Sequence, residues 1–402
     1  MRNPHVERLL TVKPTLKLKQ SPEIPTLPTA LDSETCVKKG LCPIAVDYSP
    51  RPRNIYYEIH GDLNASQKVV LSMASLAYQF EISCISFLPH ESLGMNFTCS
   101  AWAPQVQHLS YKKDYAVLVF DNRGTGNSDA GAIEAYTSSE MAKDTLNLLK
   151  WIGWEKDRSI HLFGVSMGGM IAQEMCLLNP ERFKSVSFIS TRCGSEFDCP
   201  STRSIIAAIK TAFKLVTGDR ALDLYLELLF PDGYFDESTE KGRLCKSRLR
   251  DRLRTCHQLP REQSRTAYLG HFYAVMMHHF SYEKLKKISA DLHPAKILVI
   301  IGDKDELILA KRAVELHEHL PGSELFMVEN AGHALGYQIT EELNSIMDRV
   351  MAEGNAAFSK HLIVLALLEL YASKISQPSW LAREDKPVRI SAQGFEKGGG
   401  QS

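Results

Sequence analysis

A serine flanked by glycines marks the junction between a strand pattern and a helix pattern. Residues 159–165 are apolar and rich in β-forming side chains, whereas residues 167–178 favour a helix that stops before a proline. Gly164 and Gly168 enclose Ser166 in the segment GVSMG. Glycines let a strand and a helix approach each other through a tight, strained turn. The pattern predicts an exposed hydroxyl at a helix N-terminus, where negative charge is favoured.

A serine nucleophile needs a base that takes its proton and a carboxylate that holds the base. Asp303 and Asp305 follow the strand pattern ILVIIG, and His333 follows the next strand pattern, within ENAGHALG. Active residues of doubly wound sheets gather at the carboxyl ends of the strands. The order serine, aspartate, histidine therefore favours covalent catalysis by Ser166.

The segments that must position these residues alternate between strand and helix patterns. Strands are predicted at residues 55–60, 68–73, 115–120, 159–165, 185–191, 297–301 and 323–328. Most are continuous apolar runs, as expected of strands covered on both faces. A helix begins after the capping box of Thr137 and Glu140. We therefore predict the α/β class, with a doubly wound, mostly parallel sheet.

The rhythm of strands and helices defines the domain organisation. Residues 51–193 and 291–353 form the predicted core, after a flexible tail over residues 1–50. Residues 194–290 contain helical patterns without a convincing strand, which predicts a helical insertion. Residues 354–402 are predicted to form a C-terminal helix and a disordered tail.

Composition and the terminal segments indicate the expected partners and cellular location of the protein. The 402 residues carry a formal net charge of zero, so nucleic acid is not an expected partner. Nine cysteines argue for reduced thiols. The N-terminus lacks an apolar signal core, which favours a cytoplasmic protein, with a mitochondrial presequence as the alternative because the segment is basic. The apolar run HLIVLALLEL, from His361, is too short to span a bilayer. It predicts a helix buried against the domain or on a partner, and membrane contact is not expected.

Four motifs together resemble those of an α/β-hydrolase of the esterase and lipase type. They are FDNRGTGNSD, GVSMGGMIAQE, GDKDELI and ENAGHALG, and they occur in the order and approximate spacing of that family, within residues 55–351. The resemblance implies that Ser166 is the nucleophile and His333 the general base. It selects Asp305 over Asp303 as the carboxylate, because the family's acid stands three residues after the glycine.

The resemblance also implies an oxyanion hole and a cap. The backbone amides of Met167 and Ser75 would hold the oxyanion, although Ala74 stands where the family carries glycine. Residues 194–290 correspond to the helical cap over the pocket. Residues 77–98 have no counterpart in the family, and we interpret them as an artefact of gene prediction, such as a translated intron, in preference to a genuine insertion.

Simpler structural roles remain open for the same residues. Ser166 could be only a helix N-cap, and His333 only a loop histidine. Asp305 could be the N-cap of a helix that begins at Leu307, with Asp303 as the acid in its place.

Three further patterns have weaker functional interpretations. The segment RGTGNSD could be a phosphate loop, but it lacks a third glycine. Tyr282 and Lys286 have the spacing of a reductase pair, but no glycine-rich first turn accompanies them. Residues 241–262 are basic with an apolar stripe, which favours an amphipathic cap helix over an anionic-membrane contact.

The sequence thus predicts a serine hydrolase that cleaves a small-molecule carboxylic ester through an acyl-enzyme and needs no cofactor or metal. Acyl transfer to an alcohol would use the same groups. A ligand-binding protein of the same fold with little catalysis is the alternative from another class.

Overall fold

The computed structural model describes residues 29, 31–44, 53–73, 98–129, 136–194, 219–257 and 265–375. Two compact units divide the chain, Met1–Ala357 and Phe358–Ser402. Within the described ranges, no helix is both long enough and apolar enough to cross a membrane.

The first unit contains one sheet of eight strands. They are β1 (Cys36–Ile44), β2 (Arg53–Gly61), β3 (Gln67–Met73), β4 (Tyr115–Phe120), β5 (Ile160–Val165), β6 (Phe183–Ile189), β7 (Lys296–Gly302) and β8 (Ser323–Val328). Their order is β1-β2-β4-β3-β5-β6-β7-β8. The pairs β1–β2 and β2–β4 are antiparallel, and all the others are parallel. The six strands from β3 to β8 therefore end at the same edge of the sheet.

Helices cover both faces of the sheet. Among the described residues they are α1 (Ala103–Ser110), α2 (Ser138–Trp151), α3 (Met167–Leu178), α4 (Asp219–Leu229), α5 (Glu240–His257), α6 (Arg265–Met276), α7 (Tyr282–Leu292), α8 (Ala310–Glu318), α9 (Leu335–Gln338) and α10 (Thr340–Ile375). Short 3₁₀ helices span Cys99–Trp102 and Pro180–Arg182.

Alternate residues of the strands build two apolar cores. In β4, Leu118 and Phe120 pack with α2, α3 and α7, whereas Val117 and Val119 pack with α1 and the first turns of α10. Successive side chains of a strand point to opposite faces, so a strand covered on both sides must be apolar throughout. This requirement explains why the central strands were recognisable as continuous apolar runs.

The seven predicted strands and the mostly parallel sheet are confirmed. The assignment of residues 1–50 to a flexible tail is wrong for Cys36–Ile44, which forms β1. This strand lies at the sheet edge, and its first half alternates little because Val37, Lys38 and Lys39 are all exposed. The described parts of residues 194–290 contain helices and no strand, as predicted, although α7 continues to Leu292.

The C-terminal helix is α10, and the side chains of its apolar run are exposed. Leu362, Ile363 and Val364 are 50%, 61% and 52% exposed.

Candidate active site

Ser166 occupies a strained turn between β5 and α3. Its backbone has φ 56° and ψ −122°, a conformation that side chains other than glycine rarely adopt and that costs about 1–3 kcal/mol. Two hydrogen bonds fix the turn. The Ser166 N–H donates to the Ile189 carbonyl at 2.9 Å, and the Thr191 hydroxyl donates to the Ser166 carbonyl at 2.7 Å. A serine at this turn is therefore held from both sides by the end of β6.

The glycines around Ser166 permit close backbone contact. A Cβ on Gly168 would fall well inside contact distance of the Ser72 carbonyl oxygen, at the end of β3. A Cβ on Gly164 would reach the Gly168 carbonyl at 2.5 Å, and one on Gly169 would lie 2.6 Å from the Thr191 side chain. An alanine at any of these three glycine positions would therefore disrupt a close contact.

Asp305 and His333 meet beyond the ends of β7 and β8. The Nδ1 atom of His333 lies 2.8 Å from Oδ2 of Asp305. The second oxygen of Asp305 accepts the N–H groups of Leu307 and Ile308, at 2.9 and 2.8 Å. These two bonds fix the carboxylate plane and leave Oδ2 directed at the imidazole.

The contact determines the tautomer of His333. An ionised carboxylate only accepts hydrogen bonds, so Nδ1 carries the hydrogen and Nε2 keeps its lone pair. Asp303 does not take this position, because its oxygens lie near the Ala331 N–H and the Lys304 ammonium.

No helix begins at Leu307, contrary to the N-cap alternative for Asp305. The segment after Asp305 is irregular, and α8 begins at Ala310 with Leu309 at its N-cap. Asp305 still accepts two backbone amides of this turn, so it has both an anchoring contact and the contact with His333.

Backbone contacts hold the loop that carries His333. A Cβ on Gly302 would collide with the Ala331 carbonyl, and one on Gly332 would lie 2.5 Å from the Leu229 carbonyl, at the end of α4. The Ala334 N–H donates to the same Leu229 carbonyl at 3.1 Å. Helix α4 of the predicted cap region thus supports the residues on both sides of His333.

Ser166, Asp305 and His333 all stand at the carboxyl edge of the parallel strands. They are 6%, 3% and 7% exposed. The structure brings Asp305 and His333 into direct contact, and it puts Ser166 on the same edge, at the end of β5. Met167 is the first residue of α3, where backbone N–H groups lack intrahelical acceptors. Ser75, the other predicted oxyanion donor, lies outside the described residues, as do residues 77–97.

The loop after β4 makes a hydrogen bond to Met73, the last described residue before Ser75. The Asn122 side-chain amide donates to the Met73 carbonyl at 2.6 Å. This contact fixes the end of β3, directly ahead of the predicted oxyanion loop. Sequence reasoning assigned the segment to a family motif but missed this contact. The sequence shows the asparagine within FDNRG, but a single sequence does not show which group it binds.

Asp121 joins the same loop to the chain that resumes after the unmatched segment. Its two oxygens accept the N–H groups of Cys99 and Asn127, at 2.8 and 2.9 Å. Burial raises the pKa of the Asp121 carboxyl to about 6, although these hydrogen bonds oppose the shift. Thr98, which was assigned to the unmatched segment, is buried and caps the 3₁₀ helix, so it belongs to the folded domain.

The glycine-containing segment after Asp121 is closed by its own bonds. The Gly124 N–H donates to the Asp129 carbonyl, the Thr125 N–H to Asn122, and the Ser128 N–H to Thr125. These amides are occupied within the protein, which argues against a phosphate loop.

Arg123 connects this loop to α2 and α6. Its Nε donates to Asp144 at 2.6 Å, and its guanidinium lies 4.9 Å from the Tyr136 ring centroid. The His271 ring Nε2 donates to the Arg123 carbonyl at 2.8 Å, and the Tyr136 hydroxyl donates to the Ala267 carbonyl at 2.9 Å. The motif after β4 therefore anchors the helical insertion as well as β3.

One group of described residues has donor atoms close enough for a metal, namely Cys36, Glu58 and His60, within 4.8 Å of one another. Glu58 accepts hydroxyl groups of Thr29 and Tyr56, each at 2.6 Å, and lies 2.9 Å from His60 Nε2. Burial alone would raise the Glu58 pKa, but these hydrogen bonds outweigh it and lower the pKa. Burial raises the pKa of the Cys36 thiol to about 11, which disfavours the thiolate. The group has the character of a structural hydrogen-bond network between β1 and β2.

Two other sequence patterns have structural contacts. The Tyr282 hydroxyl donates to Glu315 at 2.9 Å, and the Tyr282 ring stacks on His319. These contacts engage Tyr282 with residues other than Lys286, which argues against a reductase pair. The basic segment forms α5 over Glu240–His257, with Cys245 and Leu249 half-buried. Leu253 and Cys256, the other members of the predicted apolar stripe, are not among the side chains that the structure describes, so the amphipathic pattern stays a prediction.

A cavity of about 510 Å³ lies beside the acid and histidine loops. Its lining comprises Pro231, Asp232, Gly233, Tyr234, Lys304, Glu306 and Asn330. It flanks the contact between Asp305 and His333 without including either residue.

The fold and the site together define a class of protein. A family model described as α/β hydrolase fold matches residues 92–338, which is more than half of the chain. The chain therefore belongs to the α/β hydrolase fold family, as the four motifs indicated.

Curated relatives of the chain include hydrolases of different substrates. A protein of Stutzerimonas stutzeri assigned as the carbamate hydrolase RutD is 24% identical over 270 residues, covering 65% of this chain and 90% of its own length. The rhodomycin D methylesterase DauP of a Streptomyces species is 27% identical over 267 residues, covering 62% and 86%. These relatives support a hydrolase.

Solved structures share the fold at low identity. A thermophilic esterase from Thermogutta terrifontis gives a TM-score of 0.57 at 16% identity, covering 79% of this chain and 99% of its own. A meta-cleavage product hydrolase from Pseudomonas fluorescens gives 0.57 at 17% identity, covering 80% and 98%.

Proposed function

We propose that this α/β hydrolase cleaves a carboxylic ester through an acyl-enzyme formed on Ser166. The observation that carries the proposal is the 2.8 Å contact between His333 Nδ1 and Asp305 Oδ2, at the edge of the sheet where the strained Ser166 also lies. The methylesterase among the relatives supports an ester as the substrate class.

In the proposed reaction, Ser166 Oγ attacks the ester carbonyl while its proton moves to Nε2 of His333. Asp305 stabilises the imidazolium that forms and keeps the ring in position. The tetrahedral intermediate collapses, the carbonyl reforms, and the leaving alkoxide takes the proton from Nε2. Water then attacks the acyl-enzyme with the same proton transfers, which releases the acid and restores Ser166.

The developing oxyanion needs backbone donors. We assign this role to the amides of Met167 and Ser75, each worth roughly 3 kcal/mol in the transition state. The bond from Asn122 to the Met73 carbonyl supports the loop that would carry Ser75. The helices of residues 194–290 would serve as the cap, because α4 and α6 contact the loops at this edge.

A fluorophosphonate probe tests the nucleophile, and a panel of aryl and methyl esters tests the substrate class. We expect the wild-type chain to be labelled and to turn over a short p-nitrophenyl ester. Ser166→Ala should abolish both without lowering the melting temperature, because it removes one hydroxyl and little packing volume. Ser190→Ala is the matched control, since Ser190 is also buried, follows a strand and has φ 45°.

Four results would count against the proposal. Labelling of the Ser166→Ala variant would assign the nucleophile elsewhere. Binding of esters without turnover would favour a ligand-binding homologue. Turnover of carbamates in preference to esters, or transfer of the acyl group to added alcohol in preference to water, would change the substrate or the acceptor while keeping Ser166.

A further inference from the structure

The last part of α10 presents apolar side chains to solvent over its whole circumference. The exposed fractions are 50% for Leu362, 61% for Ile363, 52% for Val364, 43% for Leu365, 60% for Leu367, 59% for Leu368 and 67% for Tyr371. These residues belong to the second unit, Phe358–Ser402. Soluble proteins rarely expose a contiguous apolar surface of this kind unless something binds it.

The arrangement around the helix axis restricts what could cover this surface. Successive residues of a helix point about 100° apart, so Leu362, Ile363, Val364 and Leu365 already face all sides. Leu367 and Leu368 fill the gaps between them, and Glu369 is the one charged residue between Lys360 and Lys374. A helix that is apolar all round requires an environment that surrounds it.

A second copy of the helix would not provide that environment. Two paired helices bury a seam of two positions in seven and leave the other faces in water. Ile363 and Leu365 point about 200° apart, so one partner helix cannot cover both. The acyl chains of lipids surround an inserted helix on all sides and therefore match the observed distribution.

The length and the ends of the segment also fit a lipid phase. Residues 362–371 extend about 15 Å at about 1.5 Å per residue, which is too short to cross the roughly 30 Å hydrocarbon core, so the helix axis would lie in the plane of one leaflet with both ends near the headgroups. Lys360 is exposed at one end, and Lys374 follows in the sequence at the other. An ammonium group at each end can bind lipid phosphate groups, and Tyr371 is a residue type favoured at the membrane interface.

We propose that residues 358–375 bind a phospholipid bilayer by inserting the segment from Leu362 to Tyr371 into one leaflet. This binding is independent of the proposed ester hydrolysis. It attaches the hydrolase to a lipid surface without spanning it.

Flotation of the purified full-length chain with phospholipid vesicles tests the proposal. Vesicles of phosphatidylcholine are compared with vesicles that also contain phosphatidylserine. We expect the wild-type chain to float with both, and to bind the anionic vesicles several-fold more tightly, because the apolar residues supply most of the affinity and the lysines a smaller share.

Ile363→Asp combined with Leu367→Asp should lower the partition coefficient about 100-fold or more, since it replaces two inserted side chains by charges. Both residues are exposed, so the melting temperature should not change. Leu244→Asp is the matched control, because Leu244 is a 46% exposed leucine on the basic helix α5. This variant should float like the wild type.

The alternatives give different results. Loss of flotation in Leu244→Asp, or binding only to anionic vesicles, would assign membrane contact to α5 and overturn the proposal. A wild-type dimer in light scattering that the double substitution converts to monomer, without vesicle binding, would mean that a second copy covers the segment. A lower melting temperature of the double variant, again without vesicle binding, would mean that another part of this chain covers it.

Discussion

The two parts of the candidate triad are built by different means. Ser166 is fixed by backbone geometry, through a positive φ and glycines that allow β3, β5 and α3 to touch. Asp305 and His333 are fixed through side chains, which join two loops at a distance of 28 residues along the chain. The comparison teaches that the nucleophile is a local feature of the sequence, whereas the acid and base become a pair only when β7 and β8 are neighbours.

The comparison predicts that changes at Asp305 act on catalysis rather than on folding. In Asp305→Asn, Oδ1 can still accept the Leu307 and Ile308 amides, but the side-chain NH₂ would face His333 Nδ1 and favour the wrong tautomer. We expect kcat for ester hydrolysis to fall about 10,000-fold, with little change in melting temperature.

Asp303→Asn is the matched control for this substitution. Asp303 lies near Lys304 and the Ala331 amide, so its loss should cost less than about tenfold in kcat. The opposite ranking of the two variants would transfer the acid role to Asp303.

Changes at Gly168 should act first on folding. An alanine Cβ there would collide with the Ser72 carbonyl, and neither backbone segment can move without disturbing the sheet. We expect Gly168→Ala to lower the free energy of unfolding by about 3 kcal/mol or more, measured by urea denaturation.

Gly336→Ala supplies the comparison for a glycine without such a contact. A Cβ on Gly336 would meet only the end of the Gln105 side chain, at 3.3 Å. The free energy of unfolding of Gly336→Ala should stay within about 1 kcal/mol of the wild-type value. Equal effects at the two glycines would show that the turn at Ser166 does not depend on close backbone packing.

Asn122 should affect catalysis through the end of β3. Asn122→Ala removes the 2.6 Å bond to the Met73 carbonyl and leaves that carbonyl without this donor. We expect kcat to fall about 10- to 100-fold with KM nearly constant, because a misplaced oxyanion donor weakens stabilisation of the transition state and not of the bound substrate. Asn64→Ala, at an exposed turn, should leave both constants unchanged. A rise in KM with constant kcat would instead place Asn122 in ground-state binding.

The smallest expected effect is on the pH dependence of stability. It arises from His161, which lies away from the site, at the opposite end of β5 from Ser166. Burial, together with the charge of Lys184, lowers the pKa of His161 to about 3. Below its ordinary pKa of about 6.5, the unfolded chain binds a proton that the folded chain excludes. The stability due to neutral His161 is therefore present above about pH 6.5 and is lost as the pH falls towards 3.

Urea denaturation of the wild type and His161→Gln should isolate this contribution. Between about pH 7.5 and about pH 5, the wild type should lose more stability than the variant, by at most about 1.4 kcal/mol per pH unit. The comparison with the variant is needed because burial raises the pKa of Asp121 to about 6, and its protonation acts in the opposite direction. Parallel pH profiles would show that His161 is accessible to protons in the folded state.

Much of the architecture followed from the sequence because it depends on local chemistry. Continuous apolar runs identified most of the seven strands, since the central strands are covered on both faces, and the glycines around Ser166 identified the strained turn. Cys36–Ile44 escaped recognition because an edge strand needs neither a continuous apolar run nor regular alternation.

The sequence by itself determined which residue types could act, including Ser166, His333 and two neighbouring aspartates. It could not choose between Asp303 and Asp305 without a family resemblance, because both follow the same strand. Only the tertiary structure decided that Asp305 contacts His333, that Asn122 holds the end of β3, and that the apolar residues of α10 face solvent. The physical reason is that hydrogen bonds and burial depend on which segments become neighbours in space, whereas strand and helix patterns depend on residues that are neighbours along the chain.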